Sequence, residues 1–258
     1  MAETGYALQV EGAVLRFGGI TALDGVGFEV EEGETYGVIG PNGAGKTALL
    51  NCVSGVYRLD SGSVALFGQR IDGTAPDRVA ALGLSRTFQN TEHFTRFTVL
   101  DYVMLGRLQR SRASVLRSVF AWPVAEHEER RERLRAHEAL DRFGLADTAG
   151  EEIADLPYGV QKRIDIARAV QGDPRVLLLD EPTSGTTTSE RRDVSDALRA
   201  VSEQRISTVV VDHDVDFVSR HCSRVLVVSH GQPLGTGTPA EMLRRSDVIE
   251  AFLGVPAG

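Results

Sequence analysis

The sequence predicts an α/β fold with a parallel sheet at its centre, on three observations. Residues 40–47 (GPNGAGKT) fill every fixed position of the pattern G-x-x-x-x-G-K-[ST], between a strand-like run at 35–39 (TYGVI) and a helix-like run at 47–53 (TALLNCV). Residues 175–180 (RVLLLD) form an unbroken apolar strand that ends in two acids, Asp180 and Glu181, before Pro182. Such a strand belongs inside a parallel sheet covered on both faces. Residues 107–143 are helix-patterned and strongly charged, and sit between the α/β stretches.

In Gly40-Pro41-Asn42-Gly43-Ala44-Gly45-Lys46-Thr47 each residue type has a physical job. The glycines let the backbone curl until successive N–H groups point inward and form an anion nest. The helix that follows presents free N–H groups and the positive end of its dipole to a phosphate. Lys46 adds a compact charge near the β- and γ-phosphates of a nucleotide, and the Thr47 hydroxyl suits Mg²⁺. The chain has only two lysines, Lys46 and Lys162, against 28 Lys and Arg together. A sequence that uses arginine almost everywhere still has lysine here, where a rotatable point charge fits and a planar fork does not. The stretch predicts a site for a nucleoside triphosphate.

With 258 residues, 42% of them hydrophobic and 25% charged, the chain has ample material for one large α/β unit or two small ones. A formal net charge of −8 argues against a surface that coats nucleic acid, so no nucleic-acid partner is expected. Cys52 and Cys222 are far apart, and no CxxC or CxxH spacing occurs; reduced thiols, no cysteine metal site and a cytosolic setting are expected. The opening MAETGYALQV lacks a basic region followed by an apolar one, so no signal peptide is expected. No apolar run approaches the roughly 20 residues a bilayer span needs. Any membrane role must go through a partner.

In chain order, residues 8–15 and 27–30 read as strands around a turn at Gly18-Gly19. Phe17, at the edge of that turn, suits either a stacking platform for a purine ring or ordinary packing. Residues 63–67 read as a strand, 76–82 as a short helix and 84–88 as a strand leading to Gln89. A glutamine at a strand's end can reach a metal or a water through its carbonyl, and equally suits a solvated loop. Glu126/Arg130 and Glu129/Arg133 are helical i,i+4 pairs, each worth a few tenths of a kcal/mol. Residues 90–160 are expected to form a helical subdomain set into an α/β core of about 1–89 and 161–258, within one unit spanning 1–258.

Pro157, Tyr158 and Gly159 precede an apolar-periodic helix that runs to Gln171 and is stopped by Gly172-Asp173-Pro174. An exposed helix start of this kind suits an anion, or is a plain N-cap. At the end of the strand at 175–180, where ligands sit in open α/β sheets, Asp180 could hold Mg²⁺ through water and Glu181 polarise an attacking water. Residues 189–203 read as an amphipathic helix and 207–211 as a strand ending in Asp212-His213. There an imidazole could contact a γ-phosphate. His93, His127, His137, His221 and His230 are given no role. Residues 224–229 read as a strand and 239–252 as a C-terminal helical stretch.

Taken in order, these pieces resemble the ATP-binding subunit of ABC transporters over essentially the whole chain. Residues 40–47 match the Walker A loop, Gln89 the Q-loop, residues 156–160 the signature motif, 176–180 Walker B, Glu181 the catalytic glutamate and His213 the switch histidine. Phe17 matches the aromatic position that stacks on adenine. LRFGGITAL, SRTFQN, LPYG in place of LSGG, and the ending VIEAFLG resemble the branched-chain (hydrophobic) amino-acid importer group.

The resemblance implies a P-loop NTPase fold: a mostly parallel core sheet, an antiparallel β subdomain and an inserted α-helical subdomain. It implies ATP and Mg²⁺ as cofactors. Phe17, residues 40–47, Ala48, Asp180, Tyr158 and Gly159 would contact nucleotide, and Thr47, Gln89 and Asp180 would serve the metal. Glu181, His213 and Gln89 would be catalytic. The implied partners are a second ABC ATPase subunit, like or unlike, integral membrane permease subunits, and a periplasmic or extracellular substrate-binding protein. The implied location is the cytoplasmic face of the bacterial inner or plasma membrane. A soluble ABC ATPase uncoupled from transport, or an exporter ATPase, is the alternative. Ala48 for a hydroxyl residue, Pro157 for Ser, Val160 for Gln and Thr186-Thr187-Thr188 in the D-loop depart from the pattern. With them, this subunit's own Walker side is expected to hydrolyse ATP while the site it completes for its partner is slower.

Overall fold

The computed structural model describes residues 5–87, 96–108 and 122–253, with the side chains of 108 and 122–128 excepted. Its sequence builds two sheets. The first is antiparallel: β1 (Tyr6–Phe17) and β2 (Ile20–Glu31) form a hairpin, β4 (Ser61–Leu66) pairs with β1, and the two-residue β5 (Gln69–Arg70) closes the order β2-β1-β4-β5. Gly18, at φ 58, makes the hairpin turn. The second sheet has the order β10-β9-β3-β8-β7-β6. In it β9 (Arg224–Ser229), β3 (Thr35–Ile39), β8 (Ser207–Val211), β7 (Val176–Asp180) and β6 (Leu84–Arg86) are parallel, and β10 (Gln232–Gly237) runs antiparallel at one edge.

Every residue of β7 and β8 is buried, as the unbroken apolar runs require. Side-chain alternation then splits one strand between two cores. Leu177 and Leu179 of β7 pack with the helices, and Val176 and Leu178 pack with the antiparallel sheet. The core sheet is therefore the middle layer, and truncating one of these leucines to alanine costs roughly 2–5 kcal/mol.

Helices cover both faces: α1 (Lys46–Val53) and α2 (Pro76–Ala81) pack on the side of the antiparallel sheet. The other face carries α3 (Val99–Leu108), α4 (Trp122–Arg142), α5 (Tyr158–Gln171), α6 (Arg191–Glu203), α7 (Val215–His221), α8 (Pro239–Met242) and α9 (Ser246–Leu253). Glu129 and Arg133 stand at 3.9 Å on the exposed face of α4. Glu126 lies among the side chains outside the described set. Arg107 of α3 meets Glu132 of α4 at 3.0 Å. The buried Tyr102 donates to Asp165 of α5 at 2.8 Å, and Arg168 donates to the same oxygen at 2.9 Å. Helix α5 runs unbroken across position 160, where the sequence suggests the edge of a helical subdomain, and its buried residues join α3, α4 and α6 in one apolar cluster.

The structure differs from the sequence reading in the longer β2, in the added β5 and in three further features. The C-terminal helical stretch is two helices, because Thr238 caps the first through its hydroxyl and Glu241, in a capping box, and Arg245 with Asp247 sets the turn to the second. Strand β10 escapes the pattern because it holds Pro233 and two glycines. Helix α7 escapes it because its signal is short; Asp214 caps it by accepting the Phe217 N–H at 3.0 Å.

Candidate functional site

The phosphate-loop pattern sits where the sequence places it, between β3 and α1. The backbone has left-handed glycines at Gly43, φ 79, and Gly45, φ 101, which is also the N-cap of α1. A Cβ on Gly40 would run into the Val228 carbonyl, and one on Gly45 would sit 2.5 Å from the Ala22 carbonyl. The loop is therefore pressed between β9 and β2, and the pattern's glycines are needed for space as much as for φ. The Gly231 N–H donates to the Ala44 carbonyl at 3.0 Å and the Asp24 N–H to the Gly231 carbonyl at 2.8 Å, which ties both sheets to the loop.

Lys46 is buried, and its ammonium donates to the Gly40 and Pro41 carbonyls at 2.7 and 2.9 Å. Burial lowers its pKa, opposed by the charges of Glu181, Asp212 and Asp180. Thr47 is half-buried beside it. Ala48 packs its methyl against the cluster under the antiparallel sheet, which accounts for an apolar residue there.

Asp180 closes β7 with a fully buried side chain. Its Oδ2 accepts from Arg86 at 2.6 Å, while Oδ1 has no hydrogen-bond partner among the described residues. Arg86 also donates to Asn51 at 2.7 Å and Ser54 at 3.3 Å at the end of α1, so its fork joins the phosphate-loop helix to β7. Sequence reasoning missed Arg86; a lone arginine on a three-residue strand carries no pattern.

Glu181 adopts φ 47, a left-handed conformation rare for a non-glycine residue, and its N–H donates to the Val211 carbonyl at 2.7 Å. His213 is half exposed, with Nδ1 3.6 Å from Asp212 Oδ1. The adjacent parallel strands β3, β8 and β7 thus bring Lys46, Asp180, Glu181 and His213 together at their C-terminal ends, in the middle of the sheet. Gln89 lies outside the described residues, and so does His93.

Phe17 ends β1 with 47% of its surface exposed and meets Tyr57 edge-on, with centroids 5.2 Å apart and planes at 75°. The Tyr57 N–H donates to the Asn51 carbonyl at 3.0 Å, so an aromatic surface is fixed to the end of the phosphate-loop helix. Tyr57 is a second residue the sequence reading passed over; an aromatic four residues beyond the end of α1 carries no pattern.

The start of α5 departs from the expected open helix end. Pro157 is the N-cap and Tyr158 is exposed, but Gly159 is buried, and its N–H donates to Glu190 Oε1 at 3.3 Å. Glu190 Oε2 accepts from the Thr187 N–H at 2.8 Å and its hydroxyl at 2.7 Å. A carboxylate of the loop after β7 thus already takes the Gly159 N–H at that helix end. The Tyr158 ring crowds Gly185, and the Lys162 ammonium stands 5.2 Å above its centroid. Val160 packs into the helical-side core, where a polar side chain would be costly.

Residues 23–184 match the ABC transporter family. The chain is 34% identical over 248 residues to the high-affinity branched-chain amino acid transport ATP-binding protein BraF of Pseudomonas aeruginosa, covering 96% of this chain and 97% of that protein. It is 33% identical, with the same coverage, to LivG of Escherichia coli K12, a protein of the same description. Among solved structures it is similar to the ADP conformation of the ATP-binding cassette MJ1267 at TM-score 0.86 and 26% identity, covering 97% of this chain and 100% of that one. A nucleotide-free ATP-binding cassette from an ABC transporter superposes at TM-score 0.83 and 26% identity, covering 95% of this chain and 98% of that one. A curled loop pressed between two sheets, a lysine folded onto it and a strand ending in Asp180-Glu181 are what a nucleotide-binding cassette requires, and the chain is a member of the ABC transporter family, in its ATP-binding subunits.

Proposed function

We propose that this chain hydrolyses ATP to power an importer of branched-chain or other hydrophobic amino acids. The observation that carries the reading is the strand order β3-β8-β7, which sets the phosphate loop, the acid pair and His213 side by side. Relatives at 33–34% identity that carry branched-chain amino-acid transport names support the substrate class.

In this reading the nest of 40–47 accepts the β-phosphate, and Lys46 exchanges its two carbonyl partners for the β- and γ-phosphate oxygens. Glu181 orients a water and takes its proton, and His213 donates to the γ-phosphate. Phe17 and Tyr57 offer their rings to adenine. The Oδ1 of Asp180, buried and without a hydrogen-bond partner among the described residues, fits a cation site, since Mg²⁺ keeps water and phosphate ligands and takes few from protein; Thr47, Asp180 and Gln89 are the proposed holders. A magnesium ion held there would supply charge neutralisation to the nucleotide's phosphates.

No helix among the described residues is long and apolar enough to cross a membrane. The proposed partners are permease subunits, a second ATPase subunit like or unlike this one, and an external substrate-binding protein, with this chain on the cytoplasmic face; relatives named as transport ATP-binding proteins support that reading. The start of α5 closes the partner's nucleotide, and Glu190 at Gly159 makes that site the slower of the two.

The test is phosphate release by the chain co-purified with its membrane subunits, with Glu181→Gln as control. Release should respond to a binding protein loaded with a branched-chain amino acid and fall by about 100-fold or more in the variant while ATP still binds. Equal release by the variant defeats the hydrolytic assignment, and indifference to branched-chain substrates defeats the substrate.

A further inference from the structure

We propose that Asp212 is a positioning residue that holds the Glu181 loop and His213 in register for attack on the γ-phosphate. The proposal rests on the hydrolytic reading above and adds to it a residue that no motif singles out.

Asp212 is the first residue past β8, whose last residue, Val211, pairs with Val38 of β3 on one side and Asp180 of β7 on the other. It stands between the phosphate-loop strand and the acid-ended strand, and its side chain is 0% exposed. A buried carboxylate persists only where donors meet it. Here Oδ2 accepts from the Thr183 N–H at 3.0 Å and the Thr183 hydroxyl at 2.7 Å. Oδ1 accepts from the Asp214 N–H at 2.9 Å and faces His213 Nδ1 at 3.6 Å.

Each oxygen therefore serves one reacting group. Glu181 sits at φ 47, a left-handed conformation that is unfavourable for any residue with a Cβ and survives only where its surroundings hold it. Val211 anchors the Glu181 N–H, and Asp212 anchors Thr183 two residues later, so consecutive residues of one strand end clamp both sides of the strained glutamate. The second oxygen fixes the turn that carries His213 and leaves Nε2 as the ring nitrogen that does not face the carboxylate. An amide cannot substitute, because its NH₂ would meet either the Thr183 donors or the Asp214 N–H. The Asp212 charge also joins Glu181 and Asp180 in favouring the Lys46 ammonium against burial.

The full chain is compared as wild type, Asp212→Asn and Thr183→Val for affinity towards a fluorescent ATP analogue with Mg²⁺, melting temperature and steady-state phosphate release. Asp212→Asn should lower kcat about 10–100-fold with KM and nucleotide affinity changed by less than about twofold. Thr183→Val, which removes one donor to Oδ2, should lower kcat by a smaller factor in the same pattern. In a Glu181→Gln background, Asp212→Asn should lower the residual rate by a clearly smaller factor than in the wild type, because its effect through Glu181 is already lost and only that through His213 remains. Unchanged kcat in Asp212→Asn, a fall in nucleotide affinity that matches the fall in rate, or full additivity with Glu181→Gln overturns the proposal. If Asp212→Asn fails to fold, Thr183→Val decides by the same criteria. A wild type that binds MgATP and releases no phosphate overturns the hydrolytic reading and this proposal together; an active wild type matched by both variants overturns this proposal alone.

Discussion

The two ends of the candidate nucleotide machinery are built by different means. At the phosphate loop, shape is enforced by backbone: β9 and β2 leave no room for a Cβ on Gly40 or Gly45. At the start of α5, shape is enforced by one side chain, since Glu190 links the Gly159 N–H to Thr187 of the loop after β7. A backbone-built site keeps its form whatever the protonation state of its neighbours. A site held by one carboxylate can be opened by moving or neutralising that group.

The sharpest way to break the comparison is to add a methyl group. Gly40→Ala drives its Cβ into the Val228 carbonyl and should destabilise the chain by about 3 kcal/mol in denaturant unfolding. Gly43→Ala meets no atom of the described residues within 4 Å and costs only what its positive φ demands, about 1 kcal/mol. Equal costs would mean that φ alone, not close approach, fixes the loop.

Legibility in the sequence follows the same division. The loop at 40–47, the all-buried strand β7 and the Asp180-Glu181 ending were visible because backbone-built features demand fixed residue types at fixed spacing. Arg86 on Asp180, Tyr57 on Phe17, Glu190 on Gly159 and Asp212 under Thr183 were not visible. Each is a contact between side chain and distant chain, with sequence separations from 29 to 94 residues, and no local pattern encodes such a meeting. The short α7 and the Pro- and Gly-containing β10 were lost for a simpler reason: their periodic signal is too brief.

A smaller effect sharpens the contrast at the start of α5. The Thr187 N–H, then its hydroxyl and then the Gly159 N–H hold the Glu190 carboxyl below its ordinary range. A carboxyl depressed in the folded chain stabilises it above the unfolded pKa and loses that contribution as pH falls through the folded pKa. The amide resonances of Gly159 and Thr187 should therefore be constant at neutral pH and move together in acid, below the usual glutamate range. Glu190→Gln should abolish that joint movement; its persistence would assign the link to another group.

Smallest of all should be any thiol chemistry near the loop. Burial pushes Cys52, in α1, up to about 11, and Cys222 up to about 12. Both should resist a thiol reagent at neutral pH until the chain unfolds, and labelling of Cys52 in the native protein would show α1 to be looser than the contacts of its loop imply.

The central claim is that a curled backbone and one ammonium hold a triphosphate at residues 40–47, and equilibrium binding of MgATP to the full chain and to Lys46→Ala tests it most directly. Loss of hydrogen bonds from a charged donor should weaken affinity roughly 10–100-fold, measured at a temperature where both proteins are folded, because Lys46 also ties the Gly40 and Pro41 carbonyls. Equal affinity for MgATP in the two proteins would contradict it.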